Sequence, residues 1–429
     1  MSGLRFSMVT TFYPPHNFGG DGIAVQRLAR ALVRRGHQVT VIHDVDAYDA
    51  LRQGPPPAEG VEPPGLDVVR LRSGLGVLSP ALTHQLGRPA VMGRRIRAVM
   101  DAGNFDVTMF HNVSLVGGPD ILSYGRGITL YEAHEHWLVC PSHVLWRHDR
   151  EACTGRECLR CVLHFHRPPQ LWRYTGRLAK RLRGVDAFIA KSEFSRNKHL
   201  EFGFRHPMRV IPYFLPDADA SAPAASATTD AATGADGRAH ERPYFLYVGR
   251  LERIKGLDDV IPAFRRYPDA DLLIAGDGNH DAALRRLAEG ASNVRFLGRI
   301  PPADLARLYA GALGLIVPSV GYETFGIIVI EAFREGTPVI ARRIGPFPEL
   351  IEASGGGLLF DGADELLAQL QAVQRDPALR ARLGTAGHEA FLRNWTEDAV
   401  VPRYLQLIRE VAERKGLTRV VDQIMESAA

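Results

Sequence analysis

The sequence predicts two doubly wound α/β domains, each built on a parallel sheet and facing the other across a cleft. Three observations carry this. A strand, a glycine-rich loop, a helix and a second strand follow one another near the N-terminus. The same alternation restarts at residue 243. A stretch with no apolar period, 216–241, separates the two halves. A chain of 429 residues is long enough for two or three domains, and 45% apolar with 23% charged residues is ordinary for a soluble globular protein.

The first half opens on LRFSMVTTF, an apolar run suited to a buried strand, followed by the loop HNFGGDG. Ile23, Val25, Leu28, Ala29, Leu32 and Val33 then recur at helical spacing, and Gly36 is placed to end that helix. HQVTVIH reads as the next strand. In the second half PYFLYVG, ADLLIAG, NVRFLG, LGLIVP and PVIA read as strands. GLDDVIPAFRRY, DAALRRLAEG, PADLARLYAGA and FGIIVIEAFREG read as helices between them. Segment 216–241 is rich in Ala, Ser, Thr, Asp and Gly. Such a stretch buries too little surface to offset its ordering entropy, so a flexible insertion is expected. After Trp395, EDAVVPRYLQLIREVAERKG reads as a terminal helix. The expected divisions are an N-terminal domain, 1–215, with a Cys-rich insert at 136–168; the linker 216–241; a second domain, 242–394; and the terminal helix in 395–429.

The net charge of +4 is spread along the chain, which argues against nucleic acid as a partner. No run approaches the ~20 apolar residues that span a bilayer. The N-terminal MSGLRFSMVTTFYPP lacks the features of a secretory signal, so a cytoplasmic protein is expected.

The chemistry centres on GYETFGIIVIEAF, residues 321–333, where Glu323 and Glu331 bracket an apolar run. With a strand ending near Ser319 and a helix starting near Phe325, Glu323 stands at the carboxyl edge of the sheet. Glu331 then lies about two turns into the helix. Eight helical residues span ~12 Å, roughly the reach between the two sugars of a nucleotide sugar. Carboxylates accept hydrogen bonds from paired hydroxyls, and the free N–H groups of the helix start, with Gly326 allowing close approach, suit phosphate. Arg250 and Lys255, in YVGRLERIKG after a strand, add cations at the same edge. The plainer alternatives are a capping Glu323, a rim Glu331 and a solvated basic turn.

Taken together, YVGRLERIKG, LLIAGDG, VRFLGRI, PSVGYETFGIIVIEA, GTPVIA and GPFPELI resemble the nucleotide-binding domain of retaining glycosyltransferases of the GT-B fold, sequence family 4. The first half is similar more loosely, through NFGGDGIAVQRLARALVRRGHQVTVI and YEAHEHW. The resemblance implies a nucleotide-diphosphate sugar donor, a hydroxyl acceptor and no metal at the reacting centre. It implies that Arg250 and Lys255 hold the diphosphate and Glu331 the ribose. Glu323 and His134 would face the transferred sugar. The Gly19–Gly20 loop would close over the phosphates, Phe325 and Gly326 would border them, and Arg299 and Ile300 would read the base. No carboxylate nucleophile is assigned, so retention is an implication of the family alone. Glu349, in GPFPEL, suits a helix cap at least as well as a ligand. Three Asp-x-Asp copies, Asp44/Asp46, Asp217/Asp219 and Asp269/Asp271, read as loop or cap residues rather than metal ligands. A non-catalytic nucleotide-sugar sensor is the rival from another class; a phosphorylase or an epimerase is the rival within the fold.

Cys140, Cys153, Cys158 and Cys161 are the only cysteines in the chain. They suit one structural zinc, with an iron–sulfur cluster, disulfide or redox chemistry, and unligated thiols as alternatives. His136, His143, His148, His164 and His166 could substitute as ligands. PPQLWRYTGRLAKRLRG pairs Leu171, Trp172, Leu178 and Leu182 with Arg173, Arg177, Lys180, Arg181 and Arg183, and GRRIRAVM is a second basic patch. Contact with an anionic membrane face and a lipid-linked acceptor are the expectation, against a basic helix packed on the sheet.

Overall fold

The fold is described from a computed structural model covering residues 3–52, 60–216 and 240–428. Most of the expected linker, 217–239, lies outside the described residues, as do Asp217 and Asp219.

The N-terminal sheet contains β1 (Arg5–Val9), β2 (Gln38–Asp44), β3 (Leu66–Leu71), β4 (Val107–Phe110) and β5 (Ile128–Ala133). A small antiparallel hairpin, β6 (Trp146–Arg147) with β7 (Glu151–Ala152), interrupts it before β8 (Ala187–Ala190) and β9 (Met208–Val210). The second sheet contains β10 (Tyr244–Val248), β11 (Asp271–Ala275), β12 (Val294–Gly298), β13 (Gly314–Val317), β14 (Val339–Arg342) and β15 (Gly357–Phe360). The strand orders are β3-β2-β1-β4-β5-β8-β9 and β12-β11-β10-β13-β14-β15, with every pairing in both sheets parallel. The two-domain GT-B architecture is therefore present. The central strands are buried along their length, as a parallel sheet covered on both faces requires.

Residues 395–429 do not form a single helix. Glu397–Lys415 and Thr418–Ala428 are separate, because Gly416 turns left-handed at φ +67°. The first of these packs Val400, Tyr404, Ile408 and Val411 into the N-terminal core beside Phe6, Val25 and Leu28. Trp395 stays with the second domain and stacks on Phe333. Two Asp-x-Asp residues depart from the loop-or-cap reading. Asp46 accepts from Ser73 within a short helix, and Asp271 opens β11, buried against His240 and Arg242. Asp44 caps Val45–Asp49 by accepting from the Ala47 N–H.

The basic segment is largely tied to the protein. Arg177 and Arg181 clamp Asp120, while Arg173 packs on Trp137 and Trp172. Trp172 and Leu182 are buried, which leaves Leu171, Tyr174, Lys180 and Arg183 outward.

Candidate active site

The order of each sheet reverses beside one strand, at β1/β4 and at β10/β13. Loops leaving such neighbours diverge to opposite faces and open a crevice at the carboxyl edge. The two crevices face each other and form one cleft of about 450 Å³. Gly19, Gly20 and Asp21 enter it after β1, Asn112 after β4, and His134, Glu135 and His136 after β5. Arg250 and Lys255 enter after β10, and Ser319, Tyr322, Glu323 and Thr324 after β13.

Lys255 ends a single helical turn, Arg253–Lys255, and the chain reverses at Gly256 with φ +75°. A Cβ on Gly256 would stand 2.2 Å from the Pro318 carbonyl oxygen, so the loops after β10 and β13 touch backbone to backbone. That approach sets the Lys255 ammonium on Glu323 Oε1, and Ser319 Oγ donates to the same oxygen at 3.1 Å. Burial pushes the Glu323 carboxyl up. Lys255, the Ser319 bond and the nearby Arg250 charge more than offset this and hold it below its ordinary value. At neutral pH the cleft therefore presents an ionised glutamate beside a lysine. Gly256→Ala should cost about 2–3 kcal/mol through left-handed strain and the clash, read as a lower denaturation midpoint.

The helix beyond Glu323 spans Ile327–Arg334, beginning two residues later than expected. Gly326, at φ +98°, delays it and carries no side chain to cap it, so its first N–H groups open on the cleft beside Ile327 and Ile328. Glu331 is consequently the fifth helical residue, just over one turn in, and it does not line the cleft. Its carboxylate accepts from the Tyr309 hydroxyl at 3.1 Å and pairs with Arg27 of the N-terminal domain at 3.7 Å. Phe325 is buried, edge-on to Tyr213. Arg299 points outward and pairs with Asp277, and Ile300 packs on the second domain's core. The structure thus brings together Gly19, Gly20, His134, Arg250, Lys255, Glu323 and Gly326, and places Phe325, Arg299, Ile300 and Glu331 outside the cleft wall.

Cross-domain bonds hold the two lobes in register. Thr324 Oγ1 donates to the His134 carbonyl at 2.9 Å, and Ser192 Oγ donates to the Thr324 carbonyl at 2.7 Å. The Glu349 carboxylate accepts from the Glu193 and Phe194 N–H groups, each at 3.0 Å, capping a helix of the opposite domain. A Cβ on Gly20 would lie 3.1 Å from Ile327, so the glycine loop rests against the helix that starts at Gly326.

Behind His134 sits a buried polar network. Its Nδ1 bonds the Tyr213 hydroxyl at 2.6 Å and its Nε2 bonds His111 Nδ1 at 2.9 Å, so both ring nitrogens are engaged. Burial lowers His134 to about 3 and His111 to about 4, which leaves both neutral near pH 7. Glu132 is the network's anion. Burial opposes its charge, yet the Lys191 ammonium on Oε1 holds it at about 2. Lys191 also donates to Tyr404 at 2.7 Å, and Tyr404 donates to Glu132 at 2.9 Å. Ligand atoms of His111, Glu132 and His134 lie within 4.8 Å of one another. Lys191, fixed on the only carboxylate of that trio, already fills the cationic role a metal would take there.

Several cleft residues escaped the sequence reading. Asp21 follows Gly19–Gly20 directly, which was an available signal. It accepts from Asn112 at 3.3 Å, and burial together with the Glu135 charge raises its carboxyl above the ordinary value. Glu135, in YEAHEHW, pairs with His143 at 3.0 Å.

Residues 18–217 match the family model described as Glycosyltransferase Family 4, and residues 230–390 match Glycosyl transferases group 1. The chain belongs to glycosyltransferase family 4. Among the family's curated relatives, it is 31% identical over 251 residues to a D-inositol 3-phosphate glycosyltransferase of Corynebacterium kroppenstedtii, covering 54% of each chain. It is 33% identical over 190 residues to a phosphatidyl-myo-inositol mannosyltransferase of Mycolicibacterium smegmatis, covering 42% of this chain and 48% of that protein. The chain spans about half the length of the curated relatives it matches. Sucrose-phosphate synthase from Thermosynechococcus elongatus shares the fold with TM-score 0.72 at 21% identity, over 96% of this chain and all of that one. HepE of Anabaena, solved with UDP and glucose, does so with TM-score 0.63 at 16% identity, over 95% of this chain and all of that one.

Proposed function

We propose that this family 4 protein transfers a sugar from a nucleoside-diphosphate donor to a hydroxyl acceptor, with retention at the anomeric carbon. The observation that carries the reading is the Lys255–Glu323 pair beside Arg250, set in a cleft between two sheet switch points. In the reaction the bond from the anomeric carbon to the diphosphate oxygen breaks, and the diphosphate leaves with the electron pair. Arg250, Lys255 and the uncapped start of Ile327–Arg334 stabilise that growing anion. Cationic side chains would thereby supply the charge that a metal ion supplies in other transferases. The acceptor oxygen bonds the same face of the sugar, and its proton passes to the departing phosphate oxygen. Retention rests on the family resemblance. Glu323 holds Lys255 and lies where the sugar's positive charge develops. His134, with both nitrogens engaged, acts by positioning the wall around that sugar. Glu331 reaches the ribose hydroxyls by exchanging Arg27 for them.

The acceptor proposed is lipid-linked, at the cytoplasmic membrane face. Its support is the outward Leu171 and Tyr174 beside Lys180 and Arg183, together with a curated relative whose name includes phosphatidyl-myo-inositol. Among the described residues no helix is long and apolar enough to cross a membrane.

The reading is tested by a thermal-shift screen of nucleotide sugars, in which one donor should raise the melting temperature by mass action. Calorimetry with that donor should then show Arg250→Ala binding roughly 10- to 100-fold more weakly, the loss of one charge-assisted contact. No shift with any donor, or unchanged affinity in the variant, would reject it.

A further inference from the structure

We propose that Cys140, Cys153, Cys158 and Cys161 bind one zinc ion in a closed four-thiolate site, which fixes the acceptor-side wall of the cleft. All four cysteines of the chain, separated by up to twenty-one residues of sequence, line a single small cavity of about 20 Å³. Three separate pieces deliver them: the loop after β5, the end of the β6–β7 hairpin, and the helix Cys158–His164. A cavity that small has room for about one water-sized sphere, or a metal ion, and for little else. None of the histidines lines it: His136 stacks on His199, His143 faces Glu135, and His148 meets His164. Four thiolates and no imidazole make a soft, sulfur-only donor set, which favours zinc and leaves no open coordination position.

The insert needs such a cross-link. Its local apolar cluster is Cys140 and Leu145 packed on Phe202 from beyond the insert, with few partly buried neighbours. Six non-glycine residues among those described have positive φ, and five of them, His143, Leu145, His148, Asp149 and His166, lie here. Left-handed backbone at these positions costs about 1–2 kcal/mol each, more than so small a core offsets. In metal-stapled segments of this kind, ligand bonds supply the missing folding energy. The thiols are free, and Cys140, Cys153 and Cys161 contact Ser142, Gly155 and Trp146. Ligation exchanges these weak contacts for four metal–sulfur bonds and draws the sulfurs to the ~3.8 Å edges of a tetrahedron with ~2.3 Å bonds. Arg147 and Glu157 also line the cavity and pair with each other at 3.3 Å.

The wall assignment follows from contacts. His136 and His143 line the cleft on either side of Cys140, and the His136 N–H donates to the His143 carbonyl at 2.9 Å. Tyr322, the neighbour of Glu323, packs on the insert's core, and a Cβ on Gly321 would meet the Trp146 ring at 3.4 Å. The site therefore braces both the N-terminal rim and the Glu323 loop.

Metal analysis of the purified full-length protein tests the binding directly. One zinc per chain is expected, released by a mercurial together with four reactive thiols. Cys158→Ser and Cys161→Ser should lose the zinc and melt at least about 5 °C lower. Iron with visible absorption, two disulfides by mass spectrometry, or four reactive thiols with no bound metal would each overturn the proposal. The wall assignment rests on the transferase reading, so it is read separately. Chelation should raise KM for the acceptor while leaving donor affinity, measured by calorimetry, within about twofold. A zinc content of one per chain with an unchanged acceptor KM would remove the wall role and leave the metal site standing.

Discussion

Lys255→Met should lower kcat/KM for the donor by about 10²- to 10³-fold while leaving the protein folded. The ammonium does two things at once. It offers positive charge where the diphosphate leaves, and it keeps Glu323 ionised against the pull of burial. Methionine fills the same stem volume but supplies neither effect. In the variant Ser319 remains as the near donor to Glu323, whose carboxyl then rises. Glu323→Gln should also suppress turnover, because the developing sugar cation loses its counter-charge, yet donor binding should survive. The two residues act as a unit, so the double variant should be little worse than Lys255→Met alone. Steady-state kinetics beside a denaturation curve for each variant checks all three statements. A Lys255→Met enzyme with native kcat/KM would contradict the assigned role.

The largest effect on stability is expected at Lys191. Its ammonium is wholly buried on Glu132, and Tyr404 bonds both groups. Lys191→Met strands a buried carboxylate, which costs about 3–5 kcal/mol and should lower the melting temperature by about 10 °C. Adding Glu132→Gln removes the stranded charge and should recover much of that loss. The pH dependence separates this from simple mispacking. In the native protein Glu132 is held at about 2, below an ordinary 4.5. Its contribution is therefore complete above about 4.5 and fades only as the pH falls towards 2. In Lys191→Met burial is opposed chiefly by the Tyr404 bond, and the carboxyl titrates above its ordinary value. The penalty should then shrink as the medium is acidified from neutrality. A penalty independent of pH would assign the loss to packing alone. The network also links the C-terminal helix, through Tyr404, to β5 and to the loop carrying His134, so activity should fall along with stability.

Both sheets were legible in the sequence because parallel strands, buried on two faces, read as short continuous apolar runs punctuated by glycine loops. The edge that bears the chemistry was legible for the same reason: Arg250, Lys255 and Glu323 each stand just beyond such a run. Local backbone chemistry blurred the rest. The left-handed turn at Gly326 delays the helix, which moves Glu331 from an expected two turns into it to just over one, onto Arg27 and Tyr309. Lys191 and Glu132 sit at strand ends far apart in sequence, and only the fold shows that they share a pocket with Tyr404. Glu349 illustrates the same limit. It stands in the first turn of its own helix and also caps one in the other domain, a partner that periodicity cannot reveal. The terminal helix was read as far as Gly416, where it does stop, whereas the second helix beyond that glycine, Thr418–Ala428, was not read separately.

The structure of the protein bound to a nucleoside diphosphate tests the central claim most directly. The β-phosphate should lie within hydrogen-bonding reach of Arg250 and Lys255, at the start of Ile327–Arg334, with Glu331 turned from Arg27 towards the ribose. The claim is contradicted if the diphosphate instead occupies the larger groove of about 870 Å³ beneath the Cys-rich insert, among Arg156, Arg160 and Arg205, while Lys255 and Glu323 stay paired and untouched.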